Sequence, residues 1–140
     1  MLTIKNEDVI SADLLSIEEV KVLPQWILAN GHWWWLQSPG YTCYNAAFVY
    51  IGGSVDTYGH NVDDTKGGVR PTLKVSNLPN LTIGETVGIF GLLAQYIGND
   101  SVLLCEPIGY HRFDAESNNY ERSEIKSYLD DWFEEKRREV

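Results

Sequence analysis

The sequence predicts a mixed α+β chain, in which short antiparallel strands predominate beside two main helices. Three observations predict it. Between Trp33 and Val75 short apolar runs alternate with Gly-rich turns, the texture of strands and hairpins. Ser16-Ile17-Glu18-Glu19 is a capping-box pattern that starts a helix. Ile125, Tyr128, Leu129, Trp132 and Phe133 recur at i, i+3, i+4, i+7 and i+8, one apolar stripe along a terminal helix.

Taken in order, Leu2 to Lys5 reads as a short strand. The helix begun at Ser16, with Glu19 at N3, is interrupted at Pro24. Gln25 to Asn30 form a second helical piece, with Gly31 suited to its C-terminal cap. Ala46 to Ile51 and Ser54 to Asp56 flank Gly52-Gly53, a dipeptide that tolerates the positive φ of a tight hairpin. Lys66-Gly67-Gly68 precedes a strand over Val69 to Val75, where Pro71 implies an edge or a bulge. Ser76 to Thr82 (SNLPNLT) reads as a linker. Strands follow at Thr86–Phe90, Leu92–Ile97 and Ser101–Glu106, the last two joined by the turn Gly98-Asn99-Asp100. The closing helix starts near Ser123, and its EEKRREV tail puts bases where the helix dipole favours them.

At 140 residues the chain is sized for one hydrophobic core. Its net charge of −9, from 20 acidic and 11 basic residues, repels phosphate backbones and argues against direct nucleic-acid binding. The same charge suits an acidic protein that occupies a basic groove on another protein. The first residues lack a signal-peptide h-region, and no stretch approaches the roughly 18 apolar residues of a membrane span. A cytoplasmic or phage-associated protein is the expectation. Cys43 and Cys105 lie far apart without metal-ligand spacing and are read as free thiols.

Two runs, WWWLQSPG at 33–40 and GGVRP at 67–71, resemble a family of bacterial and phage domains of unknown function. That family carries a Trp-Trp-Leu-Arg-Ser-Pro-Gly block, a small hairpin and a closing Gly-Val-Arg-Pro. It is similar to the C-type-lectin-fold variable proteins of diversity-generating retroelements, and more distantly to the formylglycine-generating fold. Ala46-Ala47, Val49, Gly53-Ser54-Val55 and Val62 stand where the pattern expects them, and ADLLSIEEV at 12–20 is similar to the helix segment preceding the block. Gln37 departs from the usual Arg, so any ion pair made by that Arg is absent.

Residues 1–75 match the second half of the family pattern and 83–140, through Ser123-Glu124-Ile125-Lys126-Ser127-Tyr128-Leu129, match the first half. The resemblance therefore implies one C-type-lectin-like domain, circularly permuted, with 76–82 bridging the old termini. Pairing of the halves between chains, as a swapped dimer or other homo-oligomer, is the alternative.

The segment 41–65, YTCYNAAFVYIGGSVDTYGHNVDDT, has the composition of a paratope once scaffold positions are removed: rigid aromatics among short polar groups. The resemblance places the exposed, variable side chains at Tyr41, Thr42, Tyr44, Asn45, Phe48, Tyr50, Asp56, Tyr58, His60, Asn61 and Asp63. Those retroelements mutate adenines, and an AAY codon so mutated cannot yield Lys, Glu, Gln, Met or Trp. None of the five occurs in 41–65, an absence with a chance on the order of a few per cent at ordinary usage.

Trp33, Trp34 and Trp35 alternate sides on a strand and are read as structural, as is Arg70, which orders a turn or pairs with a buried carboxylate. His60, Asn61, Asp63 and Asp64 are read as solvated loop polars and not as a calcium site, because the lectin motifs Glu-Pro-Asn and Trp-Asn-Asp are missing. No cofactor motif, GxSxG, HExxH or P-loop is present, and His32 and His111 lack an obvious nucleophile or carboxylate partner. The expectation is a non-enzymatic module binding a protein or surface glycan of a bacterial host. The alternative is a small acidic phage-encoded inhibitor of a host defence or nucleic-acid enzyme.

Overall fold

The capping box read from Ser16 and Glu19 forms as written. Ser16 Oγ accepts from the Glu19 N–H at 3.2 Å, and Glu19 Oε1 accepts from the Ser16 N–H at 2.9 Å. It starts helix α1 (Ile17–Lys21), and Pro24 caps the next, α2 (Gln25–Leu28). Ser123 caps the long helix α3 (Glu124–Arg138) by accepting from the Lys126 N–H at 3.1 Å. The computed structural model describes residues 1–139. Among them no helix is long and apolar enough to cross a membrane.

The architecture is mixed α and β, with two sheets. Strands β1 (Thr3–Ile4), β2 (Val9–Asp13), β3 (Trp34–Pro39), β4 (Asn45–Val49), β5 (Val55–Asn61), β6 (Gly68–Val69) and β7 (Thr72–Val75) come first. β8 (Thr86–Ile89), β9 (Leu92–Gly98), β10 (Ser101–Leu104) and β11 (Gly109–Tyr110) follow. One sheet has the order β1-β8-β9-β10-β7-β2, the other β11-β6-β3-β4-β5. The β9–β10 turn is as expected, with Gly98, Asn99 and Asp100 all at positive φ. In the β4–β5 hairpin Gly53 takes φ +95°, while the Tyr50 N–H reaches the Ser54 carbonyl at 2.8 Å.

Several expectations are corrected. The strand expected over Val69 to Val75 is two strands in different sheets, because Pro71 has no N–H for a ladder and Arg70 turns its side chain into the core. Ala12 and Asp13, expected in a helix segment, end β2, which pairs with β7; its polar Ser11 and Asp13 and its irregular register hide the alternation. The first helices are short, so α3 stands as the one helix longer than a turn or two among the described residues. α2 ends at Leu28, so Gly31, although at φ +83°, lies beyond its cap. Most pairings are antiparallel, but β1 with β8 and β3 with β6 are parallel.

The tryptophan alternation holds. Trp34 points into a core of Leu15, Val20, Ile27, Leu28, Ala47, Val49 and Leu103. Trp35 points to the other face, among Val69, Leu73, Val102, Leu104, Phe113 and Leu129. Both indoles are fully buried, and each keeps its N–H satisfied: Trp34 donates to the Leu28 carbonyl at 3.0 Å and Trp35 to the His111 carbonyl at 2.9 Å. The α3 stripe forms as read, with Ile125 and Leu129 buried and Tyr128, Trp132 and Phe133 packed against them.

Arg70 is 1% exposed. Its Nε donates to the Leu104 carbonyl at 2.7 Å and its Nη1 to the Leu28 carbonyl at 3.2 Å, with the guanidinium 4.9 Å from the Trp34 ring centre. Among the described residues it meets carbonyl oxygens, not the buried carboxylate expected as one option. Burial lowers its pKa to about 10, still well above neutrality, so the group is a charged tie between the end of β10 and the end of α2.

Candidate binding face

β4 is the inner strand of its half of the sheet, with β3 on one side and β5 on the other, and all its residues are buried. That position decides which of the expected contact residues can reach a ligand. Asn45, 8% exposed, is not an open contact residue. Its Oδ1 accepts from the Thr42 hydroxyl and its Nδ2 donates to Asn61 Oδ1 at 3.2 Å. Thr42, Asn45 and Asn61 thus form a polar seam between the turn before β4 and the end of β5. Phe48, 4% exposed, is likewise buried, at the floor of a cleft.

That cleft, about 410 Å³, is lined by His32, Trp33, Phe48, Tyr50, Ile51 and His60. Its geometry follows from the register of β4 and β5. Ala46 faces His60 across the ladder, and its small side chain leaves room above the sheet. Gly59, at φ +102°, carries the strand close enough that a Cβ there would lie 2.8 Å from the Ala46 carbonyl oxygen. The His60 ring stacks on Trp33 and stands edge-on to Phe48, with centroids 5.4 Å apart. Trp33 also meets Phe48 and Trp35 edge-on at 5.3 and 5.0 Å. Trp33, expected as scaffold alone, is therefore also part of the cleft.

Two carboxylates stand behind these rings. Tyr50 donates its hydroxyl proton to Asp56 Oδ2 at 2.7 Å, and His60 Nδ1 lies 3.5 Å from Asp64 Oδ2. That separation is too long for a good hydrogen bond, and the same Nδ1 is buried without a hydrogen-bond partner. Burial pushes the Asp56 carboxyl up, but the Gly59 N–H, the Tyr50 hydroxyl, the Tyr58 N–H and nearby His60 outweigh it and hold it below the usual carboxylate range. Conversely, the bond to Asp56, its charge and slight burial raise the Tyr50 phenol. His32 Nε2 lies 2.7 Å from the Lys66 carbonyl oxygen, which can only accept, so Nε2 carries the proton. Tyr110 packs edge-on against His32 at 4.6 Å.

The other expected residues divide. Tyr41 and Tyr58 stack, with centroids 5.0 Å apart and planes 8° from parallel, and both rings are largely exposed. Tyr44 is exposed on the turn before β4, and Asp63 is exposed after β5. Residues outside the segment hold it in place. Asn118 Nδ2 donates to the carbonyls of Thr42 and Asn45, each at 3.1 Å, and the Asp114 N–H reaches the Val62 carbonyl at 3.0 Å. A scan of family models, a search of curated proteins and a search of solved structures each found no match.

The sequence reading missed His32, Ile51 and Tyr110 as neighbours of the cleft. Ile51 was legible as an apolar residue on a hairpin tip. His32 and Tyr110 were not, because a parallel β3–β6 contact and the two-residue β11 bring them together. A groove of about 520 Å³ also runs between the β9–β10 hairpin and α3, past Leu92, Cys105, Pro107 and Trp132. Burial raises the Cys105 thiol there, against the pull of Arg70. Both cysteines are free.

Proposed function

We propose that this chain is a non-enzymatic binding module, whose segment 41–65 together with Trp33 recognises a partner of a bacterial host in a phage or prophage setting. We further propose that the scaffold is a C-type-lectin-like domain with permuted halves, on the strength of the WWWLQSPG and GGVRP blocks. One observation carries the binding reading. Tyr41, Tyr44, Tyr50, Ile51 and Tyr58 are all exposed on a segment whose backbone is pinned from outside by Asn118 and Asp114. Exposed tyrosines on a fixed frame give contact area with little ordering cost on binding.

The test is capture from bacterial lysate and cell envelope by immobilised protein, comparing wild type with Tyr44/Tyr50/Tyr58→Ala. A partner retained by wild type and lost by the variant, with equal thermal unfolding of the two, is the expected result. Retention by both that disappears at high salt would replace this reading with that of an acidic inhibitor.

A further inference from the structure

We propose that the Trp33–Tyr50–His60 cleft receives the guanidinium end of an arginine side chain from a partner protein. This rests on the reading of the region as a binding face and names what it takes. No lysine or arginine side chain lines the cleft. Two of its rings carry a carboxylate behind them, Tyr50 with Asp56 and His60 with Asp64. A phenol that donates to a carboxylate becomes richer in electrons, and a ring so placed attracts a cation over its face.

Competing occupants fit less well. A sugar needs donors as well as acceptors, but the Tyr50 O–H and the His32 Nε2–H are already given to Asp56 and the Lys66 carbonyl. A wholly apolar side chain would gain nothing from the carboxylates behind the rings. Arginine meets each demand: its planar head stacks on rings, its charge answers the carboxylates, and its methylenes lie along exposed Ile51. The net charge of −9 draws a basic partner toward the surface before contact.

The experiment is an NMR titration of the full-length, ¹⁵N-labelled protein with four probes: N-acetyl-arginine methylamide, the citrulline counterpart, the tyrosine counterpart and a methyl glycoside. The Trp33 indole N–H, assigned by its loss in Trp33→Phe, and the amides of residues 50 and 60 report the cleft. The arginine probe is expected to shift these signals saturably and about fivefold or more tighter than citrulline. Added salt should weaken it, as should Asp56→Asn and, separately, Asp64→Asn, which guards against a folding defect in either one.

Equal binding of arginine and citrulline, or shifts confined to other surfaces, would overturn the inference. Preference for tyrosine or the glycoside at the same signals would overturn it and leave the binding face standing. Silence from all four probes would also overturn it, while the capture experiment separately decides the fate of the face.

Discussion

The imidazole of His60 lies flat on the indole of Trp33, with centroids 4.5 Å apart and planes 7° from parallel. The pair joins the strand that ends the variable-looking segment to the tryptophan run that anchors the scaffold. Two small residues flank His60, Ala46 opposite it across the ladder and Gly59 before it in the chain.

Gly59→Ala should therefore damage the face through the backbone. A Cβ there meets the Ala46 carbonyl oxygen at 2.8 Å, at a φ of +102° that L side chains rarely adopt. The expected loss is about 1–3 kcal/mol in urea unfolding. The Trp33 indole N–H signal should also move, because His60 is displaced with its strand.

Gly67→Ala should destabilise for a different reason. The added methyl would collide with the indole of Trp35, a rigid and fully buried ring. A loss of about 1–3 kcal/mol, read from the denaturation midpoint, is expected for such overpacking. Unchanged stability would mean that Trp35 has room to shift.

Arg70→Met should cost more than Arg70→Lys. Methionine removes the side-chain donor from the buried Leu104 carbonyl, at about 1–3 kcal/mol, while the Leu28 carbonyl keeps the Trp34 indole N–H. Lysine keeps the charge but lacks the fork that reaches both oxygens, so it should recover part of the loss. Thermal melts of the three proteins give the ranking.

Asp114 should make stability depend on pH. Partial burial pushes its carboxyl up, but the N–H groups of Glu116, Ser117, Glu124 and Ala115 outweigh this and hold it below the usual range. Its folded value is lower than its unfolded one, so its contribution is present above the ordinary carboxylate range. That contribution is lost as pH falls through the lowered value. Asp114→Asn should be less stable than wild type near neutrality, by about 1 kcal/mol as for a lost helix cap, and the gap should close in acid.

What the residues disclosed and what they withheld divide by range of contact. Ser16 with Glu19, the helix start near Ser123, the α3 stripe and the Gly98–Asp100 turn are local patterns, and each forms as read. The alternation of Trp34 and Trp35 was legible because period two is intrinsic to a strand. The split at Arg70-Pro71 was not, since a proline at an edge and a proline between sheets look alike in sequence. The composition of 41–65 pointed to the tyrosines, yet the family resemblance gave Asn45 and Phe48 to the surface, and nothing local marks β4 as an inner strand. The stacking of His60 on Trp33 needs the tertiary fold.

The sheet order β1-β8-β9-β10-β7-β2 has a consequence for synthesis. Strands made early occupy both flanks, and strands made late fill the gap between them. A nascent chain that has just emitted the tyrosine segment has no completed sheet behind it. The ribosome must reach Leu104 before that sheet can close, and must go further before α3 seals it. The face proposed for recognition comes out of the exit tunnel early but acquires its shape late, so a truncated product should fail in the capture experiment even when every tyrosine of residues 41–65 is present.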